Sequence, residues 1–178
     1  MSTRERILDA AWQITSEQGW SAITMSRLGE AAGVSRQSVY NEFGTKQQVA
    51  EALVARELQR FLAAVDAGLA HGATPGESVQ RGGRAVLDLA ADNPMLKATL
   101  SAAAGSPSPL LPLLTSQSLP LIQTATARVE AGLLAAHPEV AGPHLTHAVD
   151  TIVRVVLSHV VQPGPPPDLR WLGDRLLG

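Results

Sequence analysis

The sequence predicts an all-α protein, with a short N-terminal head of three helices followed by a longer helical domain. Three observations predict it. Apolar residues recur at helical spacing along most of the chain, and no segment alternates as a half-buried strand does. Ser, Thr, Asn or Asp precedes many of the apolar runs, with Gly or Pro between them, as in a series of capped helices. The two halves also differ in composition. All 12 prolines lie at or after Pro75 and all 5 histidines at or after His71. Trp12, Trp20, Tyr40, Phe43 and Phe61 lie early, leaving Trp171 alone among the later aromatics.

The first helix is read over Thr3 to Gln18, where Ile7, Leu8, Ala11, Trp12 and Thr15 share a face and Gly19 ends it. Thr24 is the expected cap of a second helix running through Ala32, which Gly33 closes. Ser35 caps a third, to about Phe43. A long helix from Thr45 to Ala70 carries Val49, Leu53, Phe61 and Val65. Thr74-Pro75 and Asn93-Pro94 each pair a cap with a proline in the first turn and start two more helices. Ser106 to Pro112 is expected to be a proline-rich loop or break, and Leu113 to Ala136 one helix kinked at Pro120. Pro143 opens a helix to about Val161; Pro163 to Pro167 is a stiff linker; Asp168 caps a short last helix. The expected division is residues 1–46 and 47–178.

With 45% hydrophobic and 17% charged residues in 178, the chain can bury a sizeable core. It has no cysteine, which excludes disulfides and thiolate chemistry and fits a reducing compartment. No secretory signal follows Met1 and no apolar run is long enough to span a bilayer, so a soluble, cytoplasmic protein is expected. Net charge is −2. In residues 1–46, Arg4, Arg6, Arg27, Arg36 and Lys46 balance Glu5, Asp9, Glu17, Glu30 and Glu42. Any contact with nucleic acid must therefore come from individually placed side chains, not a broad basic field.

The spacing of the second and third helices carries the functional reading. Two short helices joined by Gly33-Val34-Ser35 make a helix-turn-helix, with Leu28, Ala31, Ala32, Val34 and Val39 to pack them together. The outer face of the second member then offers Arg36, Gln37, Ser38 and Asn41, whose side chains suit base edges in a major groove. Tyr40 and Lys46 flank them and suit phosphates.

The runs Gly19-Trp20-Ser21-Ala22-Ile23-Thr24, Ala31-Ala32-Gly33-Val34-Ser35 and Val39-Tyr40-Asn41-Glu42-Phe43-Gly44-Thr45-Lys46 resemble the signature of the tetracycline-repressor (TetR/AcrR) family over about residues 4–54. The resemblance implies about nine helices per chain. It implies a head that binds double-stranded operator DNA as part of a homodimer, and a C-terminal domain that encloses a small hydrophobic effector. It places Thr24, Ser26 and Ser35 with Arg36, Gln37, Ser38, Tyr40, Asn41 and Lys46 at the DNA. The function implied is a ligand-responsive repressor, not an enzyme, with no cofactor. Two departures stand out. Glu42 puts an anion where relatives often carry a phosphate-compatible residue. Gly29 replaces the usual alanine of the second helix, at a cost of up to about 1 kcal/mol.

Candidate pocket residues are Val65, Leu69, Val86, Leu89, Leu96, Leu100, Leu113 and Ile122, apolar and non-aromatic, against the simpler reading that each is core. Val149, Ile152, Val153, Val156 and Val160 form one apolar stripe, and Leu169, Leu172 and Leu176 another. With the resemblance, both are expected at the dimer interface; their alternative is burial in their own subunit. Trp12, Trp20 and Phe43 are expected in the core of the head. Arg4 and Arg6 are weaker phosphate candidates. His144, His147 and Asp150 share a helix face at a spacing that metal chemistry accepts. A solvent-facing stripe is the expected reading, with no metal. The alternatives kept beside the repressor are an activator, a regulator without a small-molecule ligand, and a helical metal-binding protein.

Overall fold

The computed structural model describes residues 1–101 and 108–178, and among these the protein is helical with no strand. The helices are α1 (Thr3–Gln18), α2 (Met25–Ala32), α3 (Arg36–Phe43), α4 (Lys46–Leu69), α5 (Pro75–Ala91), α6 (Pro94–Ser101), α7 (Leu110–Leu114), α8 (Leu119–Ala136), α9 (Leu145–Val161) and α10 (Leu169–Leu177). Short 3₁₀ turns occur at Trp20–Ala22 and Pro138–Val140. No helix among the described residues is long and apolar enough to cross a membrane.

Caps set most of the boundaries. Ser2 and Glu5 form a reciprocal capping box: Glu5 N–H donates to Ser2 Oγ at 3.2 Å and Ser2 N–H to Glu5 Oε2 at 2.6 Å. Thr24, Ser35, Thr74 and Asp168 each accept a backbone N–H from the first turn of their helix, as expected from their positions. Asn93 Oδ1 does the same for Leu96 N–H at 2.9 Å, while its Nδ2 donates to the buried carboxylate of Glu57 at 2.9 Å.

The chain forms two compact units, Met1–Glu57 with Asn93–Gln117, and Leu58–Asp92 with Ser118–Gly178. The expected division at residue 46 does not coincide with them. Met95 of α6 and Leu110 of α7 join the core built by Ile7, Leu8, Ala11, Ile14, Leu28, Val39, Phe43, Val49 and Leu53. A segment distant in sequence therefore completes the first unit. Trp20 and Phe43 lie in this core and Trp12 packs on its edge.

The second unit packs the C-terminal part of α4 with α5, α8, α9 and α10. Its core includes Leu62, Val65, Leu69, Val79, Ile122, Val129, Leu133, Val149, Ile152 and Leu169. Ser78 is fully buried; its hydroxyl donates to Leu69 O at 2.8 Å and lies 2.8 Å from His137 Nε2. His137 Nδ1 in turn lies 3.3 Å from Glu139 Oε1. Arg128 forks onto Asp66, joining α8 to α4.

Two expectations are corrected, and a third meets its stated alternative. First, the helix expected over Leu113 to Ala136 is two helices separated at 115–118. Pro112 lies inside α7, and Pro120 lies in the first turn of α8, where its missing N–H has no helical partner to lose. Ser106 and Pro107 of the expected loop lie outside the described residues. Second, α9 begins at Leu145, with Pro143 in the turn before it. Third, the stripe Val149, Ile152, Val153, Val156 and Val160 is buried inside its own chain, as is Leu169. Each keeps at most 9% of its surface exposed, which fits the alternative reading of burial in its own subunit; periodicity marks a buried face without saying what buries it. Of that interface set, Leu172 is half-buried and Leu176 exposed.

Candidate nucleic-acid interface

The first unit holds α3 against α1 and α2 by turning Val39 and Phe43 inward; they keep 0% and 4% of their surface exposed. That rotation leaves Arg36, Gln37, Tyr40 and Asn41 on the solvent side. Ser38 is half-buried: its N–H donates to Ser35 Oγ at 3.0 Å, and the two hydroxyls lie 2.9 Å apart. Ser35 and Ser38 thus serve first to start the helix.

The turn before α3 is tight. Gly33 is left-handed (φ 66°), a conformation that costs glycine little. Val34 N–H donates back to Gly29 O at 2.8 Å. A Cβ on Gly29 would meet Val34 O at 2.8 Å and Arg36 N at 3.2 Å. The residue read as a weakness of α2 therefore permits the backbone approach on which the helix-turn-helix is built. Periodicity and propensity carry no signal for such a contact.

The exposed row of α3 is ordered in two i, i+4 pairs. Arg36 Nη2 donates to the Tyr40 hydroxyl at 3.2 Å, with the guanidinium 5.3 Å from the ring centroid. Gln37 Nε2 donates to Asn41 Oδ1 at 3.0 Å. Lys46 Nζ lies 5.2 Å from the buried Trp20 ring, and partial burial lowers its pKa from the ordinary lysine range. Thr24 and Ser26 are exposed at the start of α2. The sequence-derived DNA residues therefore lie in one unit, on α3, at the start of α2 and at the start of α4.

Several basic residues are committed elsewhere. Arg4 lies 4.4 Å over the Phe43 ring and donates to Glu42 O at 3.2 Å, clamping the end of α3 to α1. Arg6 reaches Thr3 Oγ1 at 3.5 Å. Arg27 bonds Gln18 Oε1 and Ala22 O. Arg56 bonds Asp9 Oδ1 at 2.6 Å and Leu8 O at 3.0 Å, fastening α4 to α1. Sequence reading missed the Arg4, Arg27 and Arg56 clamps because each depends on side-chain reach between elements.

The other candidates are dispersed. Val65, Leu69 and Ile122 are buried in the second unit, with Val86 packed against them and Leu89 half-buried. Leu96, Leu100 and Leu113 belong to the first unit. His144 and His147 are exposed, Asp150 is taken by Arg154 at 2.6 Å, and no metal-holding cluster occurs among the described residues.

Comparison with known proteins matches both parts of the chain. A family model described as bacterial regulatory proteins, tetR family, matches residues 7–53. One described as bacterial tetracyclin repressor, C-terminal domain, matches residues 75–170. The HTH-type transcriptional regulator AlkX of Mycobacterium tuberculosis is 34% identical over 161 residues, covering 90% of this chain and 75% of that protein. The solved TetR family repressor AlkX of Dietzia sp., implicated in biodegradation of n-alkanes, is 27% identical with a TM-score of 0.78. It covers 99% of this chain and 94% of that one. FadR of Bacillus subtilis, solved with stearoyl-CoA, shares the fold at 18% identity and a TM-score of 0.62. The match covers 97% of this chain and 95% of FadR.

Proposed function

This chain belongs to the TetR family of bacterial regulatory proteins and is a DNA-binding transcriptional regulator, and from that premise we propose a repressor that binds a palindromic operator as a homodimer and releases it on binding an apolar effector. Residues 1–46 would supply DNA contact and 47–178 the effector and dimer surfaces. The observation that carries the reading is α3 itself. Its inner face is locked by Val39 and Phe43, and its outer face carries only hydrogen-bonding side chains at Arg36, Gln37, Tyr40 and Asn41. A helix so held can enter a major groove, and a dimer presents two of them about 34–36 Å apart.

An apolar effector is supported by the aliphatic interior around Val65, Leu69 and Ile122, and by the likeness to a repressor implicated in n-alkane biodegradation. Release requires only that the effector bind the two conformations of the dimer with different affinity. With the Val149 stripe buried in its own chain, we place the dimer seam on the outward rows of α8 and α9. The exposed Ala127, Ala131, Ala135, Thr151 and Ser158 are small enough for close helix approach.

A gel shift on the DNA flanking the protein's own gene tests the reading, repeated with n-alkanes and long-chain acyl compounds. A retarded complex that an apolar effector dissolves is expected. No retarded complex would overturn the operator assignment; a complex indifferent to every apolar effector would overturn the ligand assignment. Ala131→Arg should shift the sedimenting species from dimer towards monomer.

A further inference from the structure

Given the DNA-binding reading above, on which this rests, we infer that α3 reads a guanine through Arg36 and an adenine through Gln37, with Tyr40 and Asn41 as their positioning partners. The argument is a count of free donors and acceptors. A guanidinium has five N–H donors and no acceptor. Arg36 spends one donor on the Tyr40 hydroxyl at 3.2 Å, lies 5.3 Å from that ring, and is in no ion pair among the described residues. Its remaining fork of donors complements O6 and N7 of guanine, which offer acceptors only.

Gln37 differs. One of its two amide N–H groups is held by Asn41 Oδ1 at 3.0 Å, and among the described residues its carbonyl oxygen and second N–H have no partner. That acceptor and donor match the N6–H and N7 edge of adenine. Asn41 Oδ1 already accepts the Gln37 N–H and is turned towards Gln37, whereas the Gln37 oxygen accepts no bond among the described residues, so the acceptor–donor contact falls to Gln37. Arg36 and Gln37 are the first two residues of α3, where a recognition helix meets base edges. Each is steadied by a partner one turn on, and the helix beneath them is fixed by buried Val39 and Phe43. Tyr40 thereby acquires a second role besides meeting phosphate: it sets the plane of the Arg36 guanidinium.

The experiment is selection of bound duplexes from a random pool by the full-length protein and by Arg36→Ala, Gln37→Glu and Tyr40→Phe. The wild type is expected to enrich a symmetric site with a guanine and an adenine in each half. Arg36→Ala should flatten the guanine position and weaken the selected site by about 5- to 150-fold, leaving the adenine. Gln37→Glu removes the donor and should turn the adenine position into cytosine, whose N4–H₂ a carboxylate accepts. Tyr40→Phe should blur the guanine position and no other base, on top of a uniform weakening from the lost phosphate contact, whereas a purely phosphate role would weaken all sequences alike and leave the guanine position sharp. An enriched motif lacking these two bases, or one whose guanine position survives Arg36→Ala, overturns the inference and leaves the regulator reading standing. Failure to enrich any motif overturns both.

Discussion

Replacing Gly29 by valine should loosen the helix-turn-helix, by an amount its geometry sets. A Cβ at this position falls 2.8 Å from Val34 O and 3.2 Å from both Ser35 C and Arg36 N. All three are backbone atoms, so no side chain can rotate away. Bringing the nearest contact from 2.8 Å to an ordinary 3.4 Å displaces the turn by about 0.6 Å, before the two valine methyls are placed. Overpacking of this kind costs about 1–3 kcal/mol, against a gain of a few tenths from better helix propensity. A net loss of about 2 kcal/mol should lower the melting temperature by about 4–8 °C in a chain of this size. The displaced turn leads directly into Arg36, and binding constellations tolerate only about 0.5 Å of misplacement. Operator affinity should therefore fall about tenfold even where the variant is fully folded. The assay is thermal denaturation beside a DNA titration, with Glu30→Val as the control, since Glu30 is the exposed neighbour in the same helix. If Gly29→Val melts and binds like Glu30→Val, the close backbone approach is not what holds α2 and α3.

Other outcomes follow from the same structure. His137→Ala removes one of the two partners of fully buried Ser78 and opens a cavity. It should cost about 2–4 kcal/mol, read as a lower urea midpoint at unchanged slope. Glu42→Gln removes an exposed anion from the end of α3 and should tighten operator binding a few-fold at low salt. The gain should shrink as ionic strength rises in the same titration. Glu5 has its pKa lowered by the Ser2 backbone N–H and then by the Ser2 side chain. A carboxylate lowered on folding stabilises at neutral pH, and that contribution is lost as pH falls through the lowered value. Amide protection factors at the start of α1, corrected for the intrinsic pH dependence of exchange, should therefore fall on acidification below the ordinary glutamate range, and Glu5→Gln should abolish that pH dependence.

Much of the DNA head was legible because its signals are local. Thr24, Gly33 and Ser35 act within a few residues of themselves, and α2 and α3 fall where those residues put them. Elements whose limits depend on distant packing were less legible. Pro120 is compatible with a kink or a start, and only the break at 115–118 decides for a start. The α9 stripe announced a buried face, but α9 spends it on its own chain. In the candidate site, Arg36, Gln37 and Asn41 were readable as outward positions. Their pairing with Tyr40 and with each other depends on rotamers, which leave no trace in spacing. The Ser2–Glu5 capping box was visible as Ser-Thr-Arg-Glu at the chain start and was missed.

The central claim is that α3 reads a specific duplex, and footprinting of wild type and Arg36→Ala on the DNA flanking the gene tests it most directly. The account predicts a protected two-fold site with half-sites about one helical turn apart, 34–36 Å between centres. It also predicts protection by folded Arg36→Ala only at concentrations about 5- to 150-fold higher. Equal protection of the same bases by both proteins, at the same concentration, would contradict it.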